Sequence, residues 1–264
     1  MSETAAVQII TFYQFKKIGL IRPLEETRRI IREEMAARGI KGTLILAEEG
    51  FNSTIAGKPT EISEFISFLE KLLETKIAFK SSYSDDLPFR KIDVKIKPEI
   101  VTLKQPVDIS KGVGTHVSPK DWNDLISSPD VILLDTRNDY EFNTGTFEGA
   151  LNPKTEKFSD LPEYVERHLS EHKDKKIAMF CTGGIRCEKF APYMLAKGFR
   201  EVYQLEGGIL KYLEEVDPDD TKWRGECYVF DTRVTVDHSL RKGEGIDPSQ
   251  PADEPKNNDA ADTK

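Results

Sequence analysis

The sequence predicts a two-part α/β protein: an α+β sandwich over residues 1–103, a linker at 104–117, and a doubly wound α/β domain over 118–216. Three observations carry that reading. The 264 residues exceed the ~100–150 at which single domains cluster, so two cores are expected. The first part alternates between strand and helix periodicities. The second contains short, almost unbroken apolar runs, as parallel strands do when both faces are covered.

Taken in order, "VQIITFYQF" (7–15) is β-branched and aromatic and reads as a strand. Pro23 suits the first residue of a helix, and Leu24, Ile30, Ile31 and Met35 share one face before Gly39 stops it. "GTLILAEEGFNSTIAG" (42–57) reads as two short strands about a Glu49-Gly50 turn. In "PTEISEFISFLEKLLE" the residues Ile62, Phe65, Ile66, Leu69, Leu72 and Leu73 recur every three or four positions, which marks an amphipathic helix. "IDVKIKPEIVTL" (92–103) alternates and closes the unit as its last strand. The order βαββαβ is that of a ferredoxin-like sandwich. Pro106, Gly112 and Gly114 punctuate the linker. Ser118 and Pro119 then supply an N-cap and a first helical residue. "VILLD" (131–135), "KIAMF" (176–180) and "EVYQLEGG" (201–208) read as strands with helices between them. Residues 217–242 form a C-terminal extension. The last stretch, 243–264, has six acids, two lysines and almost no apolar residue, and is expected to be a disordered acidic tail.

Charged residues at 32% and hydrophobic ones at 38% describe a water-soluble globular protein. The first twenty residues lack a basic start followed by a long apolar core, and no run approaches the ~18 apolar residues of a membrane span. A cytoplasmic protein without a membrane partner is expected. Three cysteines, Cys181, Cys187 and Cys227, are too few for a disulfide scaffold and read as reduced thiols. None of the four histidines stands in ligand spacing with a cysteine, so no metal is expected; His168 and His172, four apart, read as a solvated helix face. The net charge is −8, yet between Arg90 and Lys120 seven Lys and Arg face only three acids. That stretch is either an ordinary solvated strand and linker or a strip that contacts phosphates.

The chemistry concentrates in "KIAMFCTGGIRCEKF". Cys181 is the first residue past an apolar strand, and in doubly wound sheets ligand sites lie beyond the carboxyl ends of strands. The loop Thr182, Gly183, Gly184, Ile185, Arg186 then leads into a helix. Its glycines let backbone N–H groups turn inward; the helix N-terminus and Arg186 add positive charge. All three favour thiolate, and cysteines so placed reach pKa values of ~3.5–7.5 against ~8.5 when free. Cys181 is therefore the candidate nucleophile. Cys187 is either a resolving thiol or a packing residue, and Cys227 has no assigned role. The spacing C-x4-R is one residue shorter than the C-x5-R loop by which phosphotyrosine-type phosphatases enclose a phosphate. It suits a smaller guest such as a persulfide sulfur. Pro192, inside the following helix, leaves the Glu188 carbonyl without its donor, so the helix is expected to kink there or begin short.

"DTRNDYEFNTGTFEGALN", "CTGGIR" and "GFREVYQLEGGILKY" together resemble a rhodanese domain. The resemblance implies that Asp135, Arg137 and Glu141 brace the active loop. "GTFEGA" stands where many rhodaneses have Gly-His-Ile-Pro-Gly-Ala. With "EGFNSTIAG" upstream and "GECYVFDTRVTVD" downstream, the match over residues 7–240 resembles the rhodanese-type tRNA uridine hydroxylases. The family resemblance implies oxygen-dependent conversion of the wobble uridine of tRNA to 5-hydroxyuridine. It further implies an essential Cys181, no metal or flavin cofactor, molecular oxygen as co-substrate, and the anticodon loop as partner. A thiolate, or a persulfide carried on it, adding to carbon 6 of the ring would make carbon 5 reactive toward oxygen, with Arg186 and the loop amides stabilising the anion, and Phe12, Tyr13, Phe15 or Phe51 would offer stacking surfaces. The rival readings are a thiosulfate or persulfide sulfurtransferase, which leaves the N-terminal unit unexplained, and a non-catalytic rhodanese binding module, which has no need of the thiol.

Overall fold

A computed structural model describes residues 7–246. The first unit runs β1 (Val7–Phe15), α1 (Leu24–Ala37), β2 (Lys41–Ala47), β3 (Gly50–Gly57), α2 (Pro59–Leu72), β4 (Lys80–Ser84) and β5 (Ile92–Ile96). Its sheet has the order β4-β1-β3-β2-β5. Strand alternation divides the sheet into two faces. Ile10, Phe12, Leu44, Leu46, Phe51 and Ile55 pack beneath α1 and α2 against Ile31, Met35, Ile62, Phe65 and Leu69. Ile9, Thr11, Tyr13, Thr43, Ile45, Asn52 and Thr54 point to the opposite face, which lines a cavity.

The ferredoxin-like expectation holds with one correction. The strand beside β1 in the fourth position is β4, "KSSYS", antiparallel to β1. The segment expected to close the sandwich forms only β5, which extends the opposite edge parallel to β2. Serine-rich β4 has no buried residue and no apolar alternation, so its strand character comes from pairing.

The second unit is doubly wound. It comprises β6 (Thr115–Val117), α3 (Pro119–Ile126), β7 (Val131–Asp135), α4 (Asp139–Thr144), β8 (Gly145–Phe147), α5 (Leu161–His168), β9 (Lys176–Phe180), α6 (Ile185–Ala196), β10 (Glu201–Leu205) and α7 (Gly208–Glu215). The parallel sheet has the order β6-β10-β9-β7. β6 lies inside the stretch expected to be linker; three residues bounded by Gly114 and Ser118 carry too little periodicity to announce a strand. Ser118 caps α3 by accepting from the Asp121 N–H. Ile177 and Met179 of β9 face α5 and α6, whereas Ala178 and Phe180 face Trp122, Ile209 and Tyr212. Phe147 is the hub of that second layer, meeting Phe180, Tyr212 and Trp223 edge to face at 4.7–5.1 Å. α6 runs on through Pro192, whose ring is buried, so the expected short start does not occur.

The extension is ordered around three short strands: β11 (Trp223–Gly225), paired with β8, and β12 (Cys227–Tyr228) and β13 (Thr235–Val236), which form a hairpin. Gly243 donates to the Thr235 carbonyl, and the amides of Glu244 and Gly245 donate to the Glu226 carboxylate. The tail expected from 243 therefore begins with docked residues; 247–264 lie outside the described residues. Among the described residues no helix is long and apolar enough to cross a membrane, and no cluster of His, Cys, Asp or Glu is gathered for a metal. His168 is exposed on α5, with its ring 4.7 Å from that of Tyr164.

The two units are joined at a buried ammonium. Lys189 of α6, 3% exposed, donates to both Glu49 oxygens at 2.7 and 2.9 Å, to Glu99 at 2.7 Å and to the Val101 carbonyl at 3.1 Å.

Candidate active site

Cys181 follows β9 directly and is 1% exposed. The loop after it is tied off by its carbonyls. Those of Cys181 and Thr182 accept from the first amides of α7, Ile209 at 3.0 Å and Leu210 at 3.1 Å. That of Gly183 accepts from Lys80 Nζ at 2.8 Å, reaching across from β4. With the carbonyls held outward, the amides turn inward, and Gly184 N–H donates to Cys181 Sγ at 3.1 Å.

Two glycines make this geometry possible. Gly184 caps α6 with φ of +101°, and a side chain there would also come within 3.0 Å of Tyr13 Oη. Gly208 has φ of +69° at the point where α7 meets the loop. A Cβ on it would fall 2.5 Å from the Cys181 carbonyl oxygen and 2.8 Å from Gly184 N and the Thr182 oxygen.

Burial alone would push the Cys181 thiol up. The Cys187 thiol, the Arg186 charge and the amides of Cys187 and Arg186 overcome it and bring Cys181 down to about 6. Cys187, wholly buried and 3.5 Å from Thr136 Oγ1, moves the other way because burial and the Cys181 sulfur both disfavour its thiolate. Burial also pushes Cys227 up to about 12.

The sequence-singled residues are brought together unequally. Glu141, 0% exposed, grips Arg186 with two bonds of 2.8 and 3.0 Å, and Thr182 Oγ1 lies 3.4 Å from the same carboxylate. Arg186 is thus paired from behind; it raises the local potential but is not free to clamp a substrate anion. Asp135 and Arg137 form a separate buried pair at 2.6–3.2 Å, pinned to the Gly145 carbonyl and Thr146 Oγ1. The Arg137 guanidinium lies 5.7 Å from the ring of Phe180, the last residue of β9 before the loop. Phe12 and Phe51 are core residues, 1% and 0% exposed, and cannot stack on a ligand. Phe15 lies edge to face on Tyr13.

Above the thiol is a cavity of about 470 Å³, floored by Cys181, Thr182, Gly183, Ile185 and Arg186 and roofed by the free face of the first sheet. Tyr13 and Lys80 enter it from that sheet, with Lys80 Nζ 5.8 Å from the Tyr13 ring. Burial lowers the Lys80 pKa and raises that of Tyr13. The hairpin loop of the extension closes one side, fixed by Thr232 N–H to the Pro88 carbonyl at 3.0 Å and Arg233 to Ser82 at 3.3 Å. Tyr13 is among the candidate stacking residues and Phe230 lies in the "GECYVFDTRVTVD" segment, whereas Lys80 carries no motif and is brought to the site only by folding. The arrangement suits nucleophilic attack by the Cys181 sulfur on an electrophile held in the cavity.

The family model described as UPF0176 acylphosphatase like domain matches residues 7–100, and the rhodanese-like domain model matches residues 118–215. The tRNA uridine(34) hydroxylase of Synechocystis sp. is 48% identical over 240 residues, covering 90% of this chain and 85% of that one. The protein of the same name from Acinetobacter baumannii is 49% identical over 243 residues, covering 92% and 76%.

Proposed function

This chain belongs to the tRNA uridine(34) hydroxylase family, and we propose that it hydroxylates carbon 5 of the wobble uridine of tRNA, with Cys181 as nucleophile and molecular oxygen as co-substrate. The observation that carries the chemistry is a thiolate held at about 6 on the floor of a cavity whose volume suits one nucleoside. Wobble bases are unpaired, so one can enter the cavity from the anticodon loop without opening a duplex.

Cys181 thiolate adds to carbon 6, and the electron pair of the 5,6 double bond moves toward the O4 carbonyl as an enolate. Lys80, anchored on the Gly183 carbonyl, offers its ammonium to that oxygen. Carbon 5 of the enolate takes up oxygen as a hydroperoxide. Loss of the carbon 5 proton expels the thiolate and restores the double bond. Two electrons and two protons from thiols, which become a disulfide, reduce the hydroperoxide to 5-hydroxyuridine and water. Acting on tRNA, the enzyme works in the cytoplasm.

The test is reconstitution with purified tRNA, air and a thiol reductant, read by nucleoside mass spectrometry. 5-Hydroxyuridine is expected from the wild type and neither from Cys181→Ser nor without oxygen. Full hydroxylation by Cys181→Ser would overturn the covalent route. Thiocyanate from thiosulfate and cyanide, with no 5-hydroxyuridine, would put a sulfurtransferase in its place.

A further inference from the structure

A second recess of about 790 Å³ adjoins the Cys181 cavity, and Thr43, Phe89, Val229, Phe230 and Asp231 belong to both. One wall is aromatic. Tyr140 meets Tyr228 edge to face at 5.0 Å, and Tyr228 meets Phe230 at 5.3 Å. Phe230 is 58% exposed, although the Arg186 guanidinium approaches its ring at 5.8 Å. The hairpin bonds to Pro88 and Ser82 hold this wall against the first unit.

The opposite wall is basic. Arg90 and Lys91 are exposed on it, and the single carboxylate of Asp93 is shared between Lys95 at 2.7 Å and Lys91 at 3.8 Å. Asp231, the other acid of the recess, is spent on Arg233 through bonds of 2.9 and 2.7 Å. Positive charge therefore remains in excess beside an exposed ring.

We propose that this recess is a second nucleotide subsite for unpaired RNA, in which Phe230 stacks on the base next to the target uridine while Arg90 and Lys91 meet its phosphates. An unpaired strand presents both a free base face and a phosphate, the two partners these walls offer; a duplex hides the first. The shared residues join the subsites, so adjacent nucleotides of one strand span from the recess to the thiol. The inference rests on tRNA being the substrate.

The test uses the full-length protein and an anticodon stem-loop oligonucleotide, with Kd read by fluorescence anisotropy across a salt series and KM read on whole tRNA. Phe230→Ala is expected to weaken stem-loop binding and raise KM by roughly 5- to 150-fold, the factor that stacking of one base corresponds to, while Phe230→Trp keeps both near wild type. Replacing Arg90 and Lys91 by Ala is expected to reduce the salt slope by about 0.7 per lost contact. Retention of the Cys181 titration near 6 shows that the loop survives each change. An active wild type whose Kd and KM move less than twofold in Phe230→Ala overturns the subsite. Phe230-dependent binding by a wild type that makes no 5-hydroxyuridine keeps the subsite and overturns the proposed activity.

Discussion

Cys187 is the thiol whose removal should be felt most directly at Cys181. Its S–H helps stabilise the neighbouring thiolate, and Cys187→Ala deletes that donor while leaving the loop amides and Arg186. A hydrogen bond to a charged group contributes about 1.5–3 kcal/mol, and one pKa unit corresponds to about 1.4 kcal/mol, so Cys181 should rise by about 1–2 units. From about 6 this carries it to about 7–8. The sign follows because the lost bond favoured the charged form. At pH 7 the thiolate fraction would fall from about nine-tenths to between a half and a tenth, and the rate of the thiolate-dependent step with it. Thiolate absorbance near the far ultraviolet, titrated between pH 5 and 9 against a Cys181→Ser blank, reads the change cleanly. Cys187 is pushed up and Cys227 lies at about 12, so neither contributes in that window. An inflection that stays where it was would refute the reasoning and assign the stabilisation to the amides and Arg186 alone.

Glu141→Gln strips Arg186 of its buried counter-ion and should lower unfolding free energy by about 3–5 kcal/mol, measured by denaturant titration. In the folded remainder the Cys181 inflection should fall, because a negative charge has left the site. Gly208→Ala sets a Cβ within 2.8 Å of three loop backbone atoms and should abolish hydroxylation, whereas Gly149→Ala, at similar φ of +76° with nothing within 4 Å, should cost only about 1–2 kcal/mol of stability and no activity. Lys80→Met should reduce kcat/KM roughly 100-fold, as loss of one oxyanion-stabilising group does, with the Cys181 titration showing that the thiolate remains.

The parts of the protein that local chemistry dictates were legible in the sequence. Apolar runs at β7 and β9 announced covered parallel strands, the Ser118-Pro119 pair announced the start of α3, and Cys181 ahead of two glycines marked the loop that floors the cavity. What could not be read depends on distance. β4 is a strand because β1 offers it an edge, so a serine-rich segment gave no sign of it. The resemblance names Glu141 as a brace of the loop, but that it does so by occupying Arg186, 45 residues later, is visible only in the fold. The aromatic residues expected to meet the base were sorted by strand parity: Phe12 and Phe51 fell to the core side and Tyr13 to the cavity. Lys80 reaches Gly183 over a separation of 103 residues that no motif spans.

Lys189 bears on how freely the two halves of this protein could be exchanged. Its carboxylate partners belong to the first unit and its helix continues the Cys181 loop of the second. A second unit grafted elsewhere would present an unpaired cation on α6 and would lose the roof of its cavity at the same stroke. Recombination that moved either half would have to move Glu49, Glu99 and the outward face of the sheet with it. The Cys181 cavity is therefore inherited as an interface, and only the joined pair carries it whole.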